Sequence, residues 1–359
     1  MPLYRNLRRS REEVRRRTAE GLLRVKDGLR AQGVPDRSMD NRLLLATWNI
    51  REFDSTKGGK RGIEPMLYLA EVISAFDLVA VQEVREDLGP LDELLGYLGP
   101  WWRHIITDVT RGRSGNLERL AFLYDERKVR FSGLAGEVVL PSSATGQRAD
   151  FVEQFARTPF LVGFSVGWFK FTICTAHMYY GSDKAVDPRR LAELKNLAEF
   201  LADQRKEVHA WSKNVIMLGD FNVFATGDAT LRAVEDAGFF VPGPLKAFKS
   251  NLGRSKHYDQ IAFRTPDVSV DADDLPAGVF RWDDFVYRSA DEAAYESDRS
   301  GSSAKPMAYR TWRTYQMSDH LPMWVQLETD FSRSYLEDLT KAETEPPEPS
   351  DPQALPRML

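Results

Sequence analysis

The chain of 359 residues is 42% hydrophobic and 11% aromatic, which is enough apolar material for a sizeable core. It contains no run of 18 apolar residues, and this excludes a membrane-spanning helix. The net charge of −4 is uneven: residues 1–42 carry +6 (eleven Arg and one Lys against six acids), and the remainder carries −10. An acidic body opposes the approach of nucleic acid unless bound cations neutralise its acids.

Cysteine usage and the first residues bear on the cellular compartment. Cys174 is the single cysteine, so no disulfide can form within the chain, as is typical of a reducing cytoplasm. The basic start, MPLYRNLRRSREEVRRR, has no apolar run behind it, so we do not expect a secretory signal. We therefore predict a cytoplasmic protein without membrane contact.

The first 42 residues are predicted to form a basic helical extension. Val14, Leu22, Val25 and Leu29 recur at helical spacing, and Gly33 with the following proline ends the pattern. The helix has a dense arginine face. Three interpretations remain open: a solvated helix on the core, a contact with a partner subunit through residues 10–32, or an arm that binds nucleic acid.

From Leu43 onward the pattern changes to apolar strands separated by helices. Helices are predicted from Pro65 to Phe76, from Pro188, and near 229–237. The predicted strands include LLLATWNI, DLVAVQEV, RLAFLYD, TPFLVGFSV, FKFTICTAH, NVIMLGDFN, HYDQIAF and MWVQL. Because strands occur singly, in hairpins and after helices, the order favours a two-sheet core with helices outside. Residues 285–316 are predicted to be an irregular polar insertion, and 329–359 a proline-rich tail.

Polar residues recur at the ends of these apolar strands. They are Asn49, Glu83, His177, Asp220, Asn222, Asp259, Asp319 and His320. In NVIMLGDFN, strand alternation predicts that Asp220 and Asn222 share one face. Each residue alone could be an ordinary strand cap or turn residue. Together they fit that explanation poorly, because charged groups beside apolar strands are costly unless paired. We therefore expect one acidic cleft with two histidines.

Such a cleft suits a hard divalent cation. Carboxylate and amide oxygens without thiolates favour magnesium, manganese or calcium over zinc. Two histidines near carboxylates supply acid and base groups that titrate around neutral pH. These are the parts needed to hydrolyse a phosphoester.

The blocks TWNI, VQEV, TAH, GDFN, YDQI and SDH occur in this order, and the set resembles the endonuclease/exonuclease/phosphatase superfamily. The resemblance covers roughly residues 43–328, and NIREFDSTK, VQEVRED and ERLAFLYD are most similar to its pancreatic deoxyribonuclease branch. It implies an α+β fold, a four-layer αββα sandwich of two mixed sheets flanked by helices. The active site is then expected at one edge of the two sheets.

The resemblance also implies roles for single residues. Asn49, Glu83 and Asp319 match the metal ligands, for Mg²⁺ or Mn²⁺. His320 matches the histidine that activates water, and Asp259 its partner; His177 and Glu118 match the pair on the opposite side of the phosphate. Asp220 and Asn222 match the residues that hold the scissile phosphate or a second cation. Arg85 and Arg157 match arginines that contact the DNA backbone, with a surface ion pair as the alternative for each.

The sequence is consistent with three functions. The first is a metal-dependent phosphodiesterase, an endonuclease that cleaves DNA by attack of histidine-activated water. The second keeps the chemistry but acts on a phosphorylated small molecule or lipid head group; the two arginines favour the first over it. The third is a catalytically silent binding module. A missing ligand or histidine would favour the third, and all of them are present.

Overall fold

The computed structural model describes residues 2–39, 41–53, 55, 59–111, 116–140, 154–204, 211–267, 270, 274–300 and 307–341. The first sheet is built from β1 (Arg42–Phe53), β2 (Leu78–Val84), β3 (Trp102–Ile106), β4 (Arg119–Asp125), β10 (Ala277–Val279) and β11 (Met323–Glu328). Their spatial order is β10-β11-β1-β2-β4-β3, with β1 and β2 parallel and the other pairs antiparallel.

The second sheet contains five strands. They are β5 (Arg130–Glu137), β6 (Phe160–Val166), β7 (Phe169–His177), β8 (Val215–Asp220) and β9 (Asp259–Arg264), in that spatial order. Only β7 and β8 run parallel among them. The two sheets pack face to face, with β1 and β2 against β7, β8 and β9.

Helices cover the outer faces of the sandwich. They are α1 (Glu12–Ala31), α2 (Ile63–Ile73), α3 (Gly89–Leu98), α4 (Pro188–Gln204), α5 (Ala229–Asp236), α6 (Gly243–Lys246), α7 (Glu296–Ser300), α8 (Tyr309–Gln316) and α9 (Ser332–Lys341). Because β1 has one sheet face toward helices and the other toward the second sheet, its run from Leu43 to Ile50 is buried without alternation. The predicted α+β sandwich of two mixed sheets is confirmed.

Helix α1 belongs to the packed body. Its buried residues Leu22, Val25 and Leu29 face the protein, and the helix contacts α2. Gly21 permits this close approach, since a Cβ at that position would collide with Tyr68 of α2. The apolar face is thus used within the chain, and the interpretation of residues 10–32 as a contact with a partner subunit gains no support. Among the described residues, none of the helices combines the length and apolar character that a bilayer crossing needs.

The prediction of an irregular segment at 285–316 is wrong for its described part. This region forms a 3₁₀ helix at Ser289–Tyr295 followed by α7 and α8, while 301–306 lie outside the described residues. Its aromatic residues Tyr287, Tyr295 and Trp312 pack against each other at ring distances of 4.9 to 5.6 Å. Because the segment is mostly polar, its sequence did not indicate this small aromatic core. The start of the predicted tail forms α9, and residues 342–359 lie outside the described part.

Candidate active site

One edge of the sandwich collects the polar ends of five strands. Asn49 and Glu83 lie near the carboxyl ends of the parallel strands β1 and β2, and His177 and Asp220 end the parallel strands β7 and β8. Strand β9 runs in the opposite direction, so its first residue, Asp259, lies beside Asp220 in register. Carboxyl ends of parallel strands meet at the same edge, which is why residues distant in sequence converge here.

The first pair of the site joins Glu118, just before β4, to His177. The Oε2 atom of Glu118 lies 2.8 Å from His177 Nδ1, and both side chains are buried. The same oxygen lies 2.8 Å from Nε of Arg157. Burial would raise the pKa of Glu118, but the charge and hydrogen bond of His177, with Arg157, outweigh it and lower the pKa to about 2. Glu118 is therefore a carboxylate at neutral pH.

The second pair joins Asp259 to His320. The Oδ2 atom of Asp259 lies 2.8 Å from His320 Nδ1. Burial opposes the charged imidazole, yet the carboxylates of Asp259 and Asp220 raise the pKa of His320 well above its usual value. The hydroxyl of Ser318 accepts from the backbone N–H of His320 at 3.0 Å and donates to the Asn49 carbonyl at 2.6 Å. Ser318 thus fixes the loop before β11 against β1.

Asp220 stands between the two pairs. Its Oδ2 atom is 3.5 Å from His177 Nε2 and 3.6 Å from His320 Nε2. The same oxygen accepts a hydrogen bond of 3.0 Å from Asn49 Nδ2. Burial opposes ionisation of Asp220, but the charges of His320 and then His177 lower its pKa. Each imidazole is thereby held by one acid at Nδ1 and directed toward a common carboxylate at Nε2.

Asn49 and Glu83 fit a hard cation. Asn49 Nδ2 donates to Glu83 Oε1 at 3.0 Å, and the backbone N–H of Glu52 donates to Glu83 Oε2 at 2.7 Å. The Oδ1 atom of Asn49 is buried and has no hydrogen-bond partner among the described residues. A buried amide oxygen without a partner is costly, and a cation would satisfy it. Glu83 also has a left-handed backbone with φ 64°, a strain typical of functional sites.

A second possible ligand group shares Glu83. Glu83, Glu118 and His177 each offer a ligand atom, and these atoms lie within 4.8 Å of one another. Burial, followed by the charge of Glu118, raises the pKa of Glu83, and a cation would offset that repulsion. Asp319, the third predicted ligand, has a side chain 44% exposed and 3.8 Å from Arg51 Nη1. Its charge contributes to the raised pKa of Glu83, so it lies close enough to influence that carboxylate.

Asn222 corrects one sequence expectation. Strand β8 ends at Asp220, and Asn222 has a left-handed backbone with φ 53°, so strand alternation does not extend to it. Its side chain instead donates to the Met178 carbonyl at 2.9 Å, and its backbone N–H donates to Asp220 Oδ1 at 3.0 Å. Asn222 therefore ties the ends of β7 and β8 together and orients Asp220.

The two predicted DNA-contacting arginines lie at the site, and both are paired. Arg85 Nη2 lies 3.2 Å from Glu52 Oε1, and Nη1 donates to the Asn116 carbonyl. Arg157 is only 8% exposed and contacts Glu118. Arg157 therefore lies beside the Glu118–His177 pair itself. Its contact with Glu118 gives it a place in that pair, in addition to any contact with a distant part of a substrate. Contact of either arginine with a DNA backbone stays a prediction.

Arg61 is a buried residue that the sequence reasoning missed. Its guanidinium donates to the carbonyls of Arg51, Gln316 and Met317 at 2.8 to 3.2 Å. It thereby joins the end of β1 to the segment that carries Asp319 and His320. Within the sequence GGKRG it has the character of a turn residue, and no local signal marks it as buried.

The chain belongs to the Endonuclease/Exonuclease/phosphatase family, because that family's sequence profile matches residues 46–320. The family consists of hydrolases that act on phosphate esters. The resemblance noted from the ordered sequence blocks is thus confirmed.

Individual relatives agree with this placement. Deoxyribonuclease-1 of Canis lupus familiaris is 28% identical over 190 residues, an alignment that spans 50% of this chain and 60% of that protein. A mannosyl-6-phosphatase of Bacteroides thetaiotaomicron superposes with a TM-score of 0.51 at 18% identity, covering 79% of this chain and 99% of the other. An endonuclease/exonuclease/phosphatase of Bacteroides vulgatus gives 0.50 at 16% identity, with coverage of 81% and 100%. These two structures share the fold.

Proposed function

We propose that this protein is a divalent-cation-dependent phosphodiesterase, an endonuclease that hydrolyses DNA phosphodiester bonds. The observation that carries the proposal is the symmetric placement of two acid–histidine pairs around Asp220. His177 Nε2 and His320 Nε2 lie 3.5 and 3.6 Å from the same Asp220 oxygen. Two imidazoles on either side of one point can serve the two proton transfers that hydrolysis of a phosphodiester needs.

The roles of the two pairs follow from their hydrogen bonds. Asp259 accepts from Nδ1 of His320 and directs Nε2 outward, so that the neutral ring would take a proton from the attacking water at Nε2; the raised pKa of His320 makes this neutral ring a stronger base. Glu118 orients His177 in the same way on the other side, where the ring contacts the phosphate or the leaving oxygen. Asp220, held by Asn49 and Asn222, keeps both rings directed to the phosphate position.

Asn49, Glu83 and Asp319 would hold the cation, Mg²⁺ or Mn²⁺. When bound, the cation would act as a Lewis acid that offsets the negative charge of the phosphate. It would also reduce the repulsion between an acidic body and a polyanion. This second effect matters here, since residues beyond 42 carry a net charge of −10.

DNA is proposed as the substrate on two grounds. Arg85 and Arg157 place two guanidinium groups beside the acid–histidine pairs, where they can contact phosphates. The alignment with deoxyribonuclease-1 covers half of this chain. A cytoplasmic location is proposed on the basis of Cys174, a buried free thiol.

The test is a substrate panel with purified protein and magnesium. It compares supercoiled plasmid, single-stranded DNA, RNA, a phosphoinositide, a sugar phosphate and bis(p-nitrophenyl) phosphate, each with and without a chelator. We expect nicking of plasmid and hydrolysis of the diester, both abolished by the chelator and restored by magnesium or manganese. Hydrolysis of phosphomonoesters alone would replace the proposal with a phosphatase function. Full activity in the chelator would contradict the cation requirement.

A further inference from the structure

An aromatic cluster adjoins the second acid–histidine pair. The rings of Tyr180, Phe224 and Tyr258 lie 5.6 to 6.2 Å from one another, centroid to centroid. The Tyr258 ring is 5.6 Å from the His320 ring, so the cluster begins where the proposed water attack occurs. Phe224 is buried, whereas Tyr180 is 37% exposed and Tyr258 is partly exposed. The two tyrosines therefore present ring surface to solvent on a rigid base.

Two cations stack on the base of this cluster. Lys256 Nζ lies 3.7 Å from the Phe224 ring centroid, and the Arg190 guanidinium carbon lies 4.9 Å from it. Arg190 is fully buried and donates to the backbone carbonyls of Tyr180, Lys184 and Ala185 at 2.5 to 2.9 Å. In the described part of the chain, neither Lys256 nor Arg190 forms a side-chain ion pair with a carboxylate. Lys256, which is partly exposed, thus remains available to attract an anion in an otherwise acidic protein, whereas the buried Arg190 holds the backbone beneath the cluster.

We propose that Tyr180, Tyr258 and Lys256 form a subsite for an unpaired nucleobase and its adjoining phosphate, so that the preferred substrate is single-stranded DNA. Aromatic rings stack on any base whose face is open, and cations beside them hold the backbone. In a duplex the faces of the bases are covered by their neighbours, so only an unpaired base can use this surface. This proposal rests on the proposed function, and it adds that the preferred DNA substrate is single-stranded.

The residue Tyr180 offers a direct test. We would compare kcat/KM for a single-stranded oligonucleotide with kcat/KM for bis(p-nitrophenyl) phosphate in wild type, Tyr180→Ala and Tyr180→Phe. Tyr180→Ala is expected to lower the ratio of the two values about tenfold or more, as expected for loss of one stacked base. Tyr180→Phe keeps the ring and should keep the ratio. Lys256→Ala should lower the ratio as well and weaken its salt dependence.

The matched control is Trp168→Ala, because Trp168 is an exposed aromatic residue between β6 and β7, away from the site edge. It should leave the ratio unchanged. An unchanged ratio in Tyr180→Ala, or a preference of wild type for duplex over single-stranded DNA, would overturn the subsite.

Failure of the proposed function would have a different signature. If wild type hydrolyses the small diester but no DNA, the endonuclease function fails. The subsite is then judged by fluorescence anisotropy with a labelled single-stranded oligonucleotide. Weaker binding by Tyr180→Ala than by Tyr180→Phe would support the subsite, and equal binding by the two variants would overturn it.

Discussion

At the scale of single residues, the shared position of Asp220 determines how the two histidines act together. Each ring is fixed by its own acid at 2.8 Å, so neither needs the other for its orientation. Both rings nevertheless face one oxygen of Asp220. A phosphate bound beside that oxygen would contact both rings at once. Residues that act on the same group have non-additive effects on the reaction rate.

We expect His177→Ala and His320→Ala each to lower kcat by about 10²-fold or more, the scale of lost acid–base catalysis. The double variant should lose less than the product of the single losses. Steady-state kinetics on bis(p-nitrophenyl) phosphate measures both quantities. His104→Ala, which changes a histidine of β3 outside the two pairs, is the control. A single variant with turnover near that of wild type would show that its ring has another role.

The unpartnered Asn49 oxygen and the strained Glu83 support a second prediction at this scale. Glu83→Gln should weaken the affinity for Mg²⁺ about tenfold or more, because the charge of the ligands sets the affinity for hard cations. Isothermal titration calorimetry measures the affinity, and thermal unfolding without metal checks the fold. Glu328→Gln, at an exposed glutamate, is the matched control. Equal Mg²⁺ affinity in the two variants would place the cation elsewhere.

At the scale of elements, glycines set the distance between α1 and its neighbours. A Cβ built on Gly21 would lie 2.0 Å from the Tyr68 hydroxyl, and one on Gly28 would lie 2.6 Å from the Phe285 ring. Glycine is intrinsically unfavourable inside a helix, by about 1 kcal/mol relative to alanine. Here the absence of a side chain at these two positions permits close packing of α1 against α2 and against Phe285.

Gly21→Ala should therefore destabilise the protein although alanine favours helices. The clash with Tyr68 forces a shift of α1 or of the ring, at a cost of about 1 to 3 kcal/mol. Gly96→Ala in α3 is the matched control, since nothing lies within 4 Å of the added Cβ. That variant should be stabilised by up to about 1 kcal/mol. Urea unfolding measures both, and a stabilised Gly21→Ala would contradict the packing.

A buried ionic network joins other elements. Arg37, which follows α1, contacts Asp77 before β2 at 2.6 Å and Asp125 at the end of β4 at 2.7 Å. Lys128 contacts the other Asp77 oxygen at 2.5 Å. Burial opposes ionisation of Asp125, but hydrogen bonds from Arg127 and Arg37 outweigh it, so its pKa is lowered. The network ties the first sheet to the segment that carries α1.

The stabilisation from Asp125 should depend on pH. Because its pKa in the folded state lies below the value of about 3.9 in unfolded chains, the contribution is complete above that value. It is lost as pH falls through the folded-state pKa. Asp125→Asn should cost about 3 kcal/mol at pH 7, and the difference from wild type should shrink below about pH 4.

Urea titrations from pH 7 to pH 3 measure this difference. Asp108→Asn is the control, since that side chain is 92% exposed and its pair with Arg119 is long. Its effect should be within about 0.5 kcal/mol at every pH. A difference for Asp125→Asn that is independent of pH would contradict the assigned ion pairs.

At the scale of the whole molecule, charge is divided between α1 with its flanks and the body. Residues 1–42 carry +6, and the apolar side of α1 packs inward, which leaves Arg11, Arg15 and Arg16 exposed, whereas Arg17 pairs with Glu64 and Asp298. Each phosphate contact adds about −0.9 to the slope of log affinity against log salt. The arginine side of α1 is thus expected to guide DNA to an otherwise acidic protein.

The double variant Arg11→Gln/Arg15→Gln should flatten that slope by about 1.8 units. Binding is measured across a salt series by anisotropy, with Glu83→Gln in the background to prevent cleavage. Lys195→Gln/Arg232→Gln removes two exposed cations of the body and is the control. If both double variants change the slope equally, α1 contributes packing and not DNA contact.

Part of the fold and of the candidate site could be predicted from the sequence, because local rules are sufficient for that part. Apolar runs that end on polar residues identify strands, and the shared edge of parallel strands brings Asn49, Glu83 and His177 together. The strand alternation predicted for Asn222 was wrong, because alternation holds only while the strand continues, and β8 ends two residues earlier. The aromatic packing within 285–316 was missed, since its rings are separated by long polar stretches.

The sequence by itself determined the fold class, the family and the set of acids and histidines, because these depend on residue type and order along the chain. Only the tertiary structure decided which groups meet. Glu118 and His177 are 59 residues apart, and Asp259 and His320 are 61 apart, so their contacts require two packed sheets. The same holds for Arg61 and for the tyrosines beside His320. Long-range packing fixes such contacts, and no local pattern in the sequence encodes the distance between them.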